Sequence, residues 1–438
     1  MKRVCLLALL LIGGTVHAAE NWPGWRGPRG DGSSQEQQLV KTWDGKTMKN
    51  IAWKAPIPGV GHGSPIIWKN HVLLVTCLEK AKGKNKPRKL VCLDRRTGKV
   101  RWQQTVVSCP LETKHSLNSR ASSTPATDGK TIYVTFLEID GSKVIAPNVG
   151  SKRLCTPGRI AVAAYDMNGK RKWIQRVGDF VSAHGFCSNP VIYKDLVILN
   201  GDHDGNSYVL AIKSDTGKVV WRVNRRHKTR SYVTPLIRKI NGQDQLVFSG
   251  SLCIISLDPK TGKRLWNIEG PTEQYVASMV YDGNLFFMAA GYPTYHVMGI
   301  DPRGRGDVSK SHVKWHKRNV RCYVPSPVVV GNYLIVADDR GTANCFDTRT
   351  GERYWQKRMG NHFSASLITA NKNVYLVADN GTTKIVAPGE KLKVVATNKL
   401  GEYTYASPAI SHGCLFIRGE KHLYCIGSKQ TSGKLGAR

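Results

Sequence analysis

Apolar positions alternate with polar ones in short runs along the chain, and the runs come in pairs. Pro190-Val-Ile-Tyr-Lys-Asp-Leu-Val-Ile-Leu199 and Pro327-Val-Val-Val-Gly-Asn-Tyr-Leu-Ile-Val336 are typical. Each pair straddles a two-residue polar centre, Lys-Asp or Gly-Asn, which predicts a β-hairpin. A small polar residue, usually followed by Pro, precedes each pair. These anchors are Ser64, Thr124, Asn189, Thr234, Ser278, Ser326, Ser366 and Ser407, spaced by 60, 65, 45, 44, 48, 40 and 41 residues.

Between the hairpins a turn recurs with a Trp four residues after its Gly. The copies are Thr97-Gly98-Lys99 with Trp102, Asn168-Gly169-Lys170 with Trp173, Thr216-Gly217-Lys218 with Trp221, Thr261-Gly262-Lys263 with Trp266, and Thr350-Gly351-Glu352 with Trp355. Asp94, Asp258 and Asp347 stand four residues before the Gly in three of them. Each unit therefore reads strand A, turn, strand B, loop, strand C, the Gly turn, and strand D with its Trp. Four antiparallel strands per ~40–45 residues is the signature of a propeller blade. Eight anchors predict an all-β, eight-bladed propeller.

The last unit has strands A to C over residues 409–426 but no D. The missing strand is predicted near Asn50-Ile-Ala-Trp53, so that an N-terminal strand closes the ring and hides its open edges. Two units depart from the pattern. Trp315 follows an insertion over 303–312, and blade seven carries Val394-Val395 where Trp is expected. Long gaps hold a basic loop at Glu79–Lys89, a connection over 106–120, and an insertion over 137–158.

Composition changes this picture in two ways. Hydrophobic residues make up 41% of the 438, enough for a large core. Length alone gives a prior of about three domains, which the repeat replaces with one ring. The expected organisation is a signal peptide over 1–18, an N-terminal extension over 19–49, a single propeller over 50–427 and a polar tail over 428–438. Lys2, Arg3, the apolar run Val4–Ile12 and Val16-His17-Ala18 carry the signal-peptide reading. The run is shorter than the ~20 residues a membrane-spanning helix needs. Cleavage near Ala18 implies a periplasmic or secreted protein.

The Asp-x-x-Thr-Gly-Lys-x-x-Trp turn resembles the tryptophan-docking motif of pyrroloquinoline-quinone-like (PQQ-like) propeller repeats. That superfamily includes quinoprotein alcohol dehydrogenases and the propeller subunit of the outer-membrane barrel assembly machinery. The opening Trp22-Pro-Gly-Trp-Arg-Gly-Pro-Arg-Gly-Asp-Gly32 is similar to the N-terminal stretch of exported PQQ-like propellers. The resemblance covers about residues 21–427 and implies structural docking roles for Trp53, Trp102, Trp173, Trp221, Trp266, Trp315 and Trp355. A large amphipathic ring on the outermost strand packs beside the next blade.

Candidate chemistry is sparse. No two cysteines are adjacent, as quinoprotein enzymes often require, and the haem, Walker, H-E-x-x-H and G-x-S-x-G motifs are missing. Cys92, Cys345 and Cys425 share one register in strand C, where other blades have Ala, Ser or Gly, and read as small core fillers. A Gly419-Glu420 turn is expected to place Cys414 directly opposite Cys425, as a hydrogen-bonded pair whose wide Cβ spacing disfavours a bridge. Cys109, Cys155, Cys187 and Cys322 are better disulfide candidates, with open pairing. Asp202-His203-Asp204-Gly205 is the most metal-like cluster and reads as a solvated hairpin tip.

The approaches to strand A and the B–C loops share one face of a propeller, around the channel. They carry His62, Arg120, His184, Phe186, Arg230, Tyr232, Tyr275, Arg321, Tyr323, His362, Phe363, Tyr403 and Tyr405. Aromatic and cationic groups at a channel mouth make a candidate ligand or partner site, with Arg120, Arg230 and Arg321 expected on one positive rim. The net charge of +34 favours acidic partners. These are an envelope protein, an acidic polysaccharide or an anionic membrane surface, and no nucleic acid, since no motif for it is present.

The function expected from these features is a monomeric, non-catalytic binding or scaffold propeller of the cell envelope, with outer-membrane protein assembly as the role the resemblance implies. No metal or cofactor is expected. The alternatives are a periplasmic oxidoreductase using PQQ with calcium, and a carbohydrate-binding propeller.

Overall fold

A computed structural model describes residues 19–147, 152–318 and 320–428. The expected signal peptide and its cleavage site, part of the 137–158 insertion and nearly all of the polar tail lie outside these residues.

The chain folds into eight antiparallel sheets of four strands, arranged as an eight-bladed propeller. Blade one shows the plan. Ile66–Trp68, His71–Cys77, Lys86–Asp94 and Val100–Cys109 are strands A to D in order. Strands B and C are almost wholly buried, whereas strand D alternates towards solvent. The inner strands pack on both faces against neighbouring blades, and the outer one has a wet edge.

Ring closure occurs as the pattern predicts. Ile51–Pro56 pairs with His422–Ile426 as strand D of blade eight, joining the N-terminal strand to Ala409–Ser411 and Cys414–Arg418. The 303–312 insertion also gains a role. Gly306–Asp307 adds a short parallel strand beside Trp266 and Asn267 of blade four. Ser33–Ser34 adds another beside Thr369 and Ala370 of blade seven.

Each Trp rests on the Gly turn of the following blade. Indole N–H groups donate to main-chain carbonyls there: Trp53 to Arg95, Trp102 to Met167, Trp173 to Ser214, Trp221 to Pro259, Trp315 to Thr348 and Trp355 to Gly389. The turn needs Gly for two reasons. At Gly98 φ is +70°, and a Cβ would stand 2.7 Å from the Trp53 ring. Trp266 is the exception, because blade five has an insertion where that turn would be. Its N–H donates to Gln245 Oε1 instead, at 2.8 Å.

The small residues of strand C now have a physical reason. Cys92, Ala164, Ala211, Ser256, Gly299, Cys345 and Cys425 each sit directly opposite the Trp of strand D. Blade seven reverses the sizes: Ile385 faces Ala396. A large residue on C fills the volume that Trp fills elsewhere.

Three expectations are corrected. Cys414 does not stand across from Cys425. Phe416 does, while Cys414 pairs with Ser411 on strand A. None of the ten cysteines among the described residues is in a disulfide, Cys109, Cys155, Cys187 and Cys322 included. The Asp202-His203-Asp204 cluster is buried rather than solvated. Asp202 pairs with Arg225 at 3.0 Å and Asp204 with Arg230 at 2.6 Å.

A candidate binding site in the central channel

The anchors that open each strand A form a belt around the axis. Their backbone N–H groups donate to the side chain of the next anchor: Ser64 to Thr124, Thr124 to Asn189, Thr234 to Ser278, Ser278 to Ser326, Ser326 to Ser366 and Ser366 to Ser407. Asn189 Nδ2 completes the run to Thr234 Oγ1 at 2.7 Å. At seven of the eight anchors a short polar side chain accepts this bond and so bridges two blades where they crowd the axis; Ser64 takes part through its backbone N–H alone.

Residues 20–37 cross the ring on the side of the A–B turns. Trp22 exchanges backbone hydrogen bonds with Ile67, Pro23 accepts from Thr127, and Gly32 accepts from Thr369. The buried Arg26 guanidinium donates to the Ser326 and Pro327 carbonyls and to that of Asp31. Asp31 pairs with Arg238 of blade four. Trp25, whose indole donates to Ser278 Oγ, lines a cavity on the axis together with residues of the opposite face.

This cavity has a volume of about 390 Å³. Of the thirteen residues expected at the mouth, His62, His184, Tyr232, Tyr323, His362 and Tyr405 line it. The other seven do not. Tyr403 is exposed outside the lining. Phe186 is buried edge-to-face on Phe180. Tyr275 is buried and donates to the Gly270 carbonyl, and Phe363 lies in the core. Arg120 pairs with Glu79 at 3.0 Å and donates to the Glu112 carbonyl. Arg230 stands behind the wall on Asp204, with Nε 3.3 Å from His184 Nδ1. Arg321 is exposed and outside the lining. The expected rim of three free arginines is therefore absent, because two are held by carboxylates on the B–C loops of the preceding blades, Glu79 and Asp204.

Trp25, His115, Asn118 and Asp339 also line the cavity and were not foreseen. Trp25 belongs to the noted opening motif. His115 and Asn118 arrive from the 106–120 connection, which has no blade register to place it.

The lining holds four imidazoles and no Arg or Lys. Burial, with Arg418 nearby, pushes His62 down to about 4. Burial beside Arg230 does the same to His184. His115 is lowered by burial. His362 differs: its Nδ1 lies 2.7 Å from Asp379 Oδ2, and that hydrogen bond raises its pKa. Asp339 accepts from the Val324 N–H, and burial raises its pKa. His62 and Tyr405 pack at 4.6 Å between ring centroids.

Around the mouth, large apolar side chains face solvent. Tyr403, Tyr292, Leu117 and Val60 are 40–53% exposed, and Ile145 and Leu154, which face each other in a two-stranded ribbon formed by Val144–Ile145 and Leu154–Cys155 of the blade-two insertion, 57–59%. Among the described residues, no three His, Cys, Asp or Glu side chains are grouped to hold a metal ion.

An eight-bladed ring with Trp docked between blades and a channel closed at one end defines the class, a PQQ-like propeller. The sequence profile of the family described as outer membrane protein assembly factor BamB matches residues 33–151, 141–292 and 293–395, and the chain belongs to that family. BamB of Francisella salina is 26% identical over 159 residues, 34% of this chain and 28% of that protein. The match thus spans less than a third of that relative. The crystal structure of BamB from Moraxella catarrhalis shares the fold at TM-score 0.54 and 10% identity, covering 86% of this chain and 96% of that one. Quinohemoprotein alcohol dehydrogenase of Comamonas testosteroni does so at 0.51 and 11%, covering 93% and 81%. A europium-containing methanol dehydrogenase aligns at 0.52 and 12%, covering 92% and 90%. At these identities the likeness concerns fold alone.

Proposed function

We propose that this protein is an exported, non-catalytic binding propeller of the cell envelope that takes part in outer-membrane protein assembly. It recognises a protein partner at the open mouth of its channel. The observation that carries this reading is the asymmetry of the ring: one face is sealed by residues 20–37, whereas the other shows exposed Tyr, Leu and Ile around a preformed cavity. Exposed aromatic and aliphatic groups around a concave site are what protein recognition uses. Membership of the family described as BamB supports the assembly role.

The quinoprotein alternative asks for PQQ, a tri-acid, together with calcium. The residues present do not fit that pair. No Arg or Lys lines the cavity to meet the acid groups, and Asp339 is the one carboxylate among the lining residues. A carbohydrate ligand has one observation in its favour: Trp25, Tyr232, Tyr323 and Tyr405 share the lining with neutral imidazoles and Asn118.

The test is photo-crosslinking in cells from positions 117 and 403, with position 220 on an outer strand as control. Adducts with a component of outer-membrane assembly from the first two positions alone are expected. Equal labelling from all three overturns the mouth assignment. Dye-linked turnover after reconstitution with PQQ and calcium overturns the non-catalytic reading.

A further inference from the structure

A second group of side chains lies away from the channel, in a groove of about 450 Å³ between blades four and five. His296 and Met298 are two residues apart on His296–Ile300, strand C of blade five, so they share one face. His316, on Val313–Arg318, stands directly opposite Met298 in the ladder. All three line the groove. His296 Nδ1 and His316 Nε2 are 2.9 Å apart, and the other nitrogen of His296 is 2.8 Å from Thr294 Oγ1.

We infer that His296, His316 and Met298 form a binding site for a soft monovalent metal ion, with Cu(I) as its chemical class. Two imidazoles and a thioether are a soft donor set, and thioethers select Cu(I) over harder ions. The Thr294 contact holds the far side of the His296 ring and leaves Nδ1 pointing at His316. A hydrogen-bonded outer partner of this kind is the usual support of a ligating imidazole.

Metal–nitrogen bonds of about 2.0–2.1 Å require nitrogens about 3.3–3.5 Å apart, so the pair opens by about half an ångström to admit an ion. With His296 Nε2–H donating to Thr294, the shared proton sits on His316 Nε2. It moves to His316 Nδ1 on binding, so only a tautomer changes and no redox partner is involved. Glu269 of blade four and Arg318 lie in the same groove with opposite charges. His227 reaches Glu269 at 3.8 Å. Because Met298 is 3% exposed and His296 6%, the ion would be held mostly out of water.

The experiment titrates the whole protein with Cu(I) under argon against a coloured Cu(I) chelator, and separately with Zn(II). The native protein is expected to retain one more equivalent of Cu(I) than the His296→Gln/His316→Gln variant. Met298→Leu, which conserves volume, should weaken Cu(I) at least tenfold and leave Zn(II) unchanged. X-ray absorption should show a sulfur scatterer that this variant lacks. Should the double variant fail to fold, the half-buried His316→Gln alone supplies the comparison. Equal copper retention by the native protein and the folded histidine variant overturns the site. An unchanged sulfur signal in Met298→Leu overturns the thioether and assigns the copper to free cysteines.

Discussion

The two faces of the ring are built from the same repeat and end up with different chemistry. On the A–B turn face, residues 20–37 satisfy the backbone of several blades and bury Arg26 completely. On the B–C face, loops of unequal length leave an imidazole-lined cavity without Arg or Lys and exposed aromatics. The difference teaches that regular turns invite one segment to cover them all, whereas irregular loops leave room for a ligand. Stability should therefore concentrate on the first face and binding on the second.

The strongest way to break this comparison is to delete residues 19–56. That removes the covering segment and strand D of blade eight together. Exposed edges in blades one and eight should then pair between molecules. The expected outcome is a species larger than the parent by size-exclusion chromatography and a fall in melting temperature of more than about 10 °C. A truncated protein of the parent's stability and of no higher oligomeric order would mean that the ring closes without this strand.

A smaller effect is expected from Arg26→Met. The Ser326, Pro327 and Asp31 carbonyls would lose a buried donor, at a cost of about 3 kcal/mol in urea unfolding. Partner crosslinking from position 403 should be unchanged, since the substitution lies on the covered face. A loss of crosslinking at preserved stability would join the two faces functionally.

The smallest effect is a pH dependence from the open face. His62 and His184 are held near 4 in the fold against an ordinary value near 6.5. The folded protein binds fewer protons there, so the stabilisation is present above pH 6.5 and declines as pH falls towards 4. His362, raised by Asp379, acts oppositely. Its contribution is present at acid pH and is lost as pH rises through the raised value. His62→Gln/His184→Gln should flatten the decline between pH 6.5 and 4.5 by about 1 kcal/mol, as both rings keep some solvent contact. An unaltered profile would remove the two imidazoles from the pH response.

How much of this was legible beforehand differs between the ring and its site. Five Gly–Trp turns and eight anchors carried the blade count, and the missing last strand pointed to Trp53. The same reading put Arg120 and Arg230 at the mouth, yet Glu79 and Asp204 hold them. Both carboxylates come from loops whose conformation has no periodicity to betray it. His115 and Asn118 were missed for the same reason, and Asp202 was taken for a solvated tip although Arg225 draws it inside.

The sequence by itself therefore determined the architecture: strand period, turn chemistry and the spacing of Gly and Trp repeat often enough to be read without contacts. It also marked the small residues of strand C. Only the tertiary structure decided why they are small, namely that each faces a Trp across the ladder, and that Ile385 and Ala396 exchange sizes in blade seven. It alone decided which arginines are neutralised, that Trp25 lines the cavity, and that His296 meets His316. Those facts depend on which side chains converge from distant parts of the chain, and convergence leaves no trace in local pattern.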